Sequence, residues 1–257
     1  MKLTVLGSGT SSGVPTVGCS CAVCRSTDPR DRRLRPSILL ETASHNILID
    51  TTPDLREQVL RKHLQHLDAI VYTHAHADHI LGMDDVRPFN YRNNVRIPIY
   101  ASEPTFAVIR RVFDYVFDKR EHKSMVPQID VNIIDEEPFD VCGVRFQPIP
   151  VLHGNATVFG FRFGDTAYLT DHSAIPEASL DKLQGLDVLF LDALRHKPHP
   201  THSTVSESIA TSERLKPHRT YFTHICHDLG HEATQASLPP GVFLAYDGLE
   251  IEVNAGA

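Results

Sequence analysis

The segment Thr73-His74-Ala75-His76-Ala77-Asp78-His79 constrains this chain more than any other. It follows the apolar run Leu67-Asp68-Ala69-Ile70-Val71-Tyr72, which predicts a buried strand. It precedes Ile80-Leu81-Gly82-Met83, which predicts the start of a helix. The motif therefore occupies the turn leaving a strand. In extended backbone His74 and His76 point to the same face. Asp78 and His79 come after the chain has turned and approach from another side. Two ligand clusters offset in direction suit two metal ions rather than one.

This stretch resembles the metal motif of the metallo-β-lactamase fold superfamily. The resemblance implies an α/β chain built as a four-layer αββα sandwich, with residues 1–257 forming a single hydrolase domain. Composition agrees: 257 residues, 41% hydrophobic and 22% charged, describe a soluble globular chain able to bury a sizeable core. No apolar run reaches the roughly 18 residues of a membrane span. Met1–Gly7 is too soon broken by glycine for a signal peptide and reads as a first strand, so a cytoplasmic location is expected. A net charge of −7 argues against a general nucleic-acid binder, and no nucleic-acid polymer is expected as partner.

Along the chain, Leu3–Leu6 predicts a strand, and the glycine-serine stretch 7–13 predicts a tight loop near the site. Its spacing fits neither a dinucleotide fingerprint nor a P-loop. Cys19-Ser20-Cys21-Ala22-Val23-Cys24 places three cysteines at a spacing that suggests zinc thiolates rather than disulfides. Structural zinc takes four ligands, so a fourth comes from elsewhere. A histidine is preferred to Cys142 or Cys226, which lie in apolar, strand-like contexts. Residues 28–35 read as a charged, solvated loop. Residues 37–42 and 46–50 predict a hairpin, 55–66 a helix opened by Thr51-Thr52-Pro53-Asp54, 97–100 a strand and 103–117 a helix. The charged connection 118–128 is a candidate lid or dimer element. Arg87, after Asp84 and Asp85, is a candidate for a substrate phosphate or for a surface ion pair.

The second half repeats the rhythm. Strands are predicted at 131–134, 144–148, 157–163, 167–169, 186–191 and 219–224. His153, Asp171 and His224 each stand at the exit of an apolar strand, and in an α/β sandwich such exits converge on one edge. The resemblance assigns His74, His76 and His153 to one metal, Asp78, His79 and His224 to a second, and Asp171 to both. It also implies that Asp50 buttresses the metal loop without coordinating. Imidazole and carboxylate suit zinc or manganese, among others.

A leading C-x-C-x-x-C inside this fold resembles the phosphoribosyl cyclic phosphate phosphodiesterase branch of the superfamily, from the carbon–phosphorus lyase pathway. That likeness implies a structural zinc on Cys19, Cys21, Cys24 and His227, the last lying three residues beyond His224. It also implies a general-acid histidine in the loop 196–204. His202, in a His202-Ser203-Thr204 sequence like that of ribonuclease Z, is the first choice; His199 and His196 compete. The expected activity is hydrolysis of a small-molecule phosphodiester, with Asp78 and Asp171 holding the metals, His202 protonating the leaving oxygen, and Arg87 and Arg195 gripping the substrate. The likeness implies a homodimer. The rivals are a ribonuclease Z-like endonuclease, a lactone or thioester hydrolase, and a non-hydrolytic protein like that of pyrroloquinoline quinone synthesis. His172, directly after Asp171, departs from the branch, which has a smaller polar residue there.

Overall fold

The computed structural model describes residues 1–118 and 125–254. Its strands are β1 (Lys2–Gly7), β2 (Ser37–Glu41), β3 (Asn46–Ile49), β4 (Ala69–Val71), β5 (Ile97–Ser102), β6 (Ile129–Ile134), β7 (Phe139–Val141), β8 (Val144–His153), β9 (Ala156–Phe163), β10 (Thr166–Leu169), β11 (Val188–Asp192), β12 (Arg219–Thr223), β13 (Val242–Leu244) and β14 (Glu250–Glu252). The α-helices are α1 (Leu55–Lys62), α2 (Ala77–Ile80), α3 (Arg87–Asn93), α4 (Glu103–Val112), α5 (Asp114–Phe117), α6 (Glu177–Asp181), α7 (Val205–Leu215) and α8 (His231–Ser237).

Two seven-stranded sheets form, in the orders β14-β1-β2-β3-β4-β5-β6 and β13-β12-β11-β10-β9-β8-β7. Strand alternation sorts the side chains into layers. In β2, Ile38 and Leu40 pack between the sheets, against Phe146, Phe161, Phe163, Tyr168 and Phe190. Leu39 faces the other way, into a layer with Leu55, Phe89 and Ile109 from α1, α3 and α4. On the far side, Leu189, Leu191 and Phe222 meet Leu180, Val205 and Leu215 from α6 and α7. The result is helix–sheet–sheet–helix. Each large apolar side chain so buried stabilises by about 1.5–3 kcal/mol, so the stacked sheets form a rigid frame for the loops at their edge.

β3 through β6 run parallel, as do β10 through β13. β8 reaches the same edge because it is antiparallel to β9, which is antiparallel to β10. The carboxyl ends of β4, β8, β10, β11 and β12 therefore share one rim, the usual place for a site in such sheets. Pro148 and Pro150 are tolerated inside β8 because three-residue β7 pairs with Val144, Arg145 and Phe146 and reaches no further along it.

Three local expectations change. The helix expected over 55–66 stops at Lys62, where His63 turns left-handed (φ 54°) and returns its N–H to Leu60 and Val59. The helix expected over 103–117 breaks at Phe113, whose ψ of 44° leaves the helical region, giving α4 and α5. Within the charged segment 28–35, Asp31 and Arg33 are buried as an ion pair with an N–O distance of 2.8 Å. The expected lid or dimer element at 118–128 falls in part, at 119–124, outside the described residues.

Candidate metal centre

The motif leaves β4 as foreseen. His74 is buried just past the strand, His76 is exposed, and Asp78 and His79 are buried on the single turn of α2. Ring nitrogens and carboxylate oxygens then gather around two points. His76 Nδ1 lies 3.0 Å from His74 Nε2 and 3.2 Å from His153 Nε2. Asp171 Oδ2 lies 3.8 Å from both His74 Nε2 and His153 Nε2. On its other side, Asp171 Oδ1 is 3.2 Å from His79 Nε2, and Oδ2 is 3.4 Å from His224 Nε2. Asp78 Oδ2 completes that group, 3.4 Å from His79 Nε2 and 3.5 Å from His224 Nε2. Asp171 thus belongs to two clusters at once, each with its donor atoms within 4.8 Å of one another.

These donors fit divalent cations. Donors 2.0–2.2 Å from a tetrahedral zinc lie roughly 3.3–3.6 Å apart, and the separations here, from 3.0 Å to 3.8 Å, bracket that range. Asp78 Oδ2, His79 Nε2 and His224 Nε2 are buried and have no hydrogen-bond partner among the described residues. Such atoms are costly to bury unless something fills the space between them. The charges answer one another in the meantime. Burial opposes ionisation of Asp78 and Asp171, yet the facing imidazoles prevail and hold both well below the usual carboxylate range. Burial likewise opposes protonation of His224, but Asp171 and Asp78 push it up to about 9. His74, buried and facing other imidazoles, is pushed well down.

The backbone and a set of buttresses aim the rings. Asp50 accepts from Thr73 N (2.9 Å) and Thr73 Oγ1 (2.7 Å) and sits 2.7 Å from His79 Nδ1. That contact turns His79 Nε2 toward Asp78 and Asp171. His153 Nδ1 donates to the Thr201 carbonyl at 2.7 Å, which turns its Nε2 inward. Asp50, Asp171 and His224 all adopt left-handed backbone, with φ of 65°, 50° and 58°. This conformation is uncommon outside glycine and concentrates at functional sites.

His202 stands at the rim of the second cluster. Its ring stacks on His224 (centroids 4.5 Å, planes 12° apart) and lies 4.8 Å from the His153 ring. Sequence reading overlooked its partner. Asp192, at the end of β11, meets His202 Nδ1 at 2.6 Å and also accepts from His172 N at 3.0 Å. The only signal was another carboxylate at a strand exit. Burial pushes Asp192 up to about 7 and His202 down to about 4, so this enclosed pair favours its neutral form. His199 lies 5.1 Å from His202, ring to ring, while His196 is exposed. His172 is buried beneath the site and contributes its backbone to Asp192 and Ser203.

The arginines take other partners. Arg87 pairs with Asp84 and donates to the Met125 carbonyl, away from both clusters. Arg195 braces its own loop, donating to the carbonyls of Lys197 and Pro198 at 3.1 Å. At the far side of β12, His227 Nδ1 lies 3.3, 3.4 and 3.6 Å from the sulfurs of Cys19, Cys21 and Cys24. Zinc–sulfur bonds near 2.3 Å and a zinc–nitrogen bond near 2.0 Å imply separations of about 3.5 Å. Cys226 stays outside this group and accepts from Asp228 N instead.

Two facing mixed sheets with histidine–aspartate clusters at one rim define a class of metal-dependent hydrolases. A family model described as the beta-lactamase superfamily domain matches residues 45–225, and the chain belongs to that superfamily. Within it the chain is of the PhnP-like branch. It superposes on the crystal structure of a diphosphatase from the PhnP family with a TM-score of 0.94 and 53% identity, covering 99% of this chain and 98% of that one. Zinc-bound PqqB from Methylobacterium extorquens shares the fold at a TM-score of 0.78 and 21% identity, covering 98% of this chain and 100% of that one. An octanoyltransferase of Porphyromonas gingivalis is 36% identical over 257 residues, covering 99% of this chain but 52% of that protein. The chain spans about half the length of the curated relatives it matches.

Proposed function

We propose that the chain is a di-metal phosphodiesterase acting on a small cyclic or nucleotide-like phosphodiester, a phosphoribosyl cyclic phosphate being the first choice. The observation that carries this reading is the pair of clusters joined through Asp171, with His202 at their rim. His74, His76 and His153 would hold one cation, Asp78, His79 and His224 the other, and Asp171 would bridge them as the pair of acidic residues with Asp78. Zinc and manganese both suit this donor set. Bound there, a pair of divalent cations would acidify a water and draw charge from phosphorus.

The chain's own groups then do the rest. His202, held through Nδ1 by Asp192, presents Nε2 to the leaving oxygen. An anionic phosphate arriving at the rim favours the imidazolium over the neutral pair, so the proton is on hand when the substrate is. Donation of that proton removes the need to expel a bare alkoxide. Arg195, on the same loop as His202, would meet a second anionic group on leaving the Lys197 and Pro198 carbonyls; Arg87 would need to leave Asp84 to do so. Cys19, Cys21, Cys24 and His227 would hold a structural zinc that ties the first loop to the last metal-bearing strand. The unit would span residues 1–257, act in the cytoplasm, and pair as a homodimer.

The test is phosphorus NMR of the manganese-supplemented protein with a ribose 1,2-cyclic phosphate, a 2′,3′-cyclic nucleotide and an organic diphosphate. Conversion of a cyclic ester to a monoester supports the reading, and the relative rates rank the substrates. Cleavage of the diphosphate alone would move the chemistry to phosphoanhydrides, as the name of the similar diphosphatase suggests. A second reading, thioester hydrolysis, is favoured by the similarity to an octanoyltransferase. An octanoyl thioester in the same assay decides it: turnover there, with none of the phosphorus compounds converted, would replace the first reading.

A further inference from the structure

Arg33 is among the largest fully buried side chains of the protein, and its position is unusual for a guanidinium. Nη1 donates to the Cys226 carbonyl at 3.0 Å. Nη2 donates to the Leu229 carbonyl at 2.7 Å and to Asp31 Oδ1 at 2.8 Å, and Nε donates to the Arg30 carbonyl at 3.2 Å. Cys226 and Leu229 bracket a reverse turn, Leu229 N reaching back to the Cys226 carbonyl. His227 lies inside that turn. Asp31 holds the turn's exit as well, accepting from His231 N at 2.8 Å.

The backbone of the same residue pairs with the stem of the thiolate loop. Arg33 N donates to the Val14 carbonyl at 2.8 Å, and Val14 N returns a bond to Arg33 O at 2.9 Å. Two residues on, Thr16 N donates to Cys24 Sγ at 3.4 Å, and the Thr16 carbonyl accepts from Cys19 N at 3.0 Å. One residue thus grips the stem of the loop that carries the sulfurs and the turn that carries the imidazole.

We propose that Arg33 is the positioning residue of the Cys19–Cys21–Cys24–His227 metal site, clamping the His227 turn to the stem of the thiolate loop. The inference rests on that site holding a metal, as set out above. Its physical ground is a comparison of alternatives. A buried ion pair adds little stability over well-packed apolar residues of similar volume. What an apolar residue cannot do is fix two carbonyls of one turn through a planar fork. Without the fork, metal retention should therefore fall out of proportion to any loss of folding stability.

The experiment loads the full-length protein with zinc and follows release of the thiolate-held ion to a chromophoric chelator, beside the thiolate-to-cobalt charge-transfer band of the cobalt-substituted form. Arg33→Met is made in an Asp31→Asn background, because methionine alone would leave a buried carboxylate without its partner; it keeps length and apolar volume. It is expected to lower affinity for this ion about 10- to 100-fold, the range that follows loss of an outer-sphere partner, to release it correspondingly faster, and to weaken the cobalt band. His227→Ala gives the ceiling. Arg33→Lys, whose single ammonium cannot span both carbonyls, is expected in between. A folded Arg33→Met protein releasing zinc at the wild-type rate overturns the proposal. If that variant does not fold, wild-type release from Arg33→Lys overturns it instead. A wild-type protein with no thiolate–cobalt band would sink the metal reading itself and the clamp with it.

Discussion

Replacing Asp192 with asparagine tests the acid loop most directly. The substitution keeps shape and one acceptor oxygen but removes the carboxylate that forms, 2.6 Å from His202 Nδ1, when His202 takes up its proton. Two unit charges about 4 Å apart at an effective dielectric near 20 attract by roughly 4 kcal/mol. Part of that is recovered, because the amide oxygen still accepts the Nδ1 proton, so about 2–4 kcal/mol of imidazolium stabilisation is lost. If protonated His202 is needed in the transition state, turnover falls by about 30- to 1000-fold. The assay compares two diesters at saturating metal, one leaving as an alkoxide and one as p-nitrophenolate. Only the alkoxide needs a proton as it departs. Asp192→Asn should slow the alkyl ester by the full factor and the nitrophenyl ester by far less, with metal content unchanged. His202→Ala should show the same asymmetry, and more of it. An equal loss on both esters would refute the acid assignment, pointing instead to a role for Asp192 in metal-site geometry through His224 and His172.

Asp50→Asn leaves His79 with a weaker partner at Nδ1 and should lower affinity for one active-site metal by about 10- to 100-fold in competitive chelation; unchanged affinity would refute its buttress role. Gly82→Ala places a Cβ 2.0 Å from the Thr52 carbonyl oxygen, a backbone clash that α1 cannot easily relieve, and should cost about 1–3 kcal/mol in urea unfolding. Asp247 is buried where it accepts from Ser8 N, Ser8 Oγ and Leu34 N, and burial pushes its carboxyl up from 3.8 to about 6. A folded-state value above the unfolded one adds stability that is complete below about pH 4 and fades as pH rises through 6. Measured against Asp247→Asn, the wild type should therefore gain stability as pH falls across that window, and a flat difference would contradict this.

Much of the frame was legible because it follows from the apolar pattern. Continuous apolar runs at 38–40, 47–49, 69–71 and 188–191 mark strands buried on both faces. The rim was legible for a related reason: His153, Asp171 and His224 interrupt apolar runs where a strand must end. What stayed hidden depends on partners distant in sequence. Asp192 acquires its role only because the loop after it folds back, tied by Leu194 N to Ser203 O and by an Arg195–Thr204 bridge. Arg33 looked like surface charge because nothing near it in sequence announces carbonyls nearly 200 residues away. The break at Phe113 was equally silent, since apolar spacing continues unchanged through α4 and α5.

The left-handed backbone at Asp171 and His224 bears on how freely this centre can be re-metallated by exchanging ligands. At those two positions a replacement must supply a donor atom and also tolerate a conformation costing most residues about 1–2 kcal/mol. Aspartate, asparagine and histidine meet both demands; a branched or bulky donor meets only one. His74, His76 and His153 carry no such restriction. A laboratory search for variants with altered metal preference should therefore accumulate changes at those three histidines and leave 171 and 224 within a narrow alphabet. The shared carboxylate would then be the last part of the centre to drift, held there by its main chain as much as by the ions it joins.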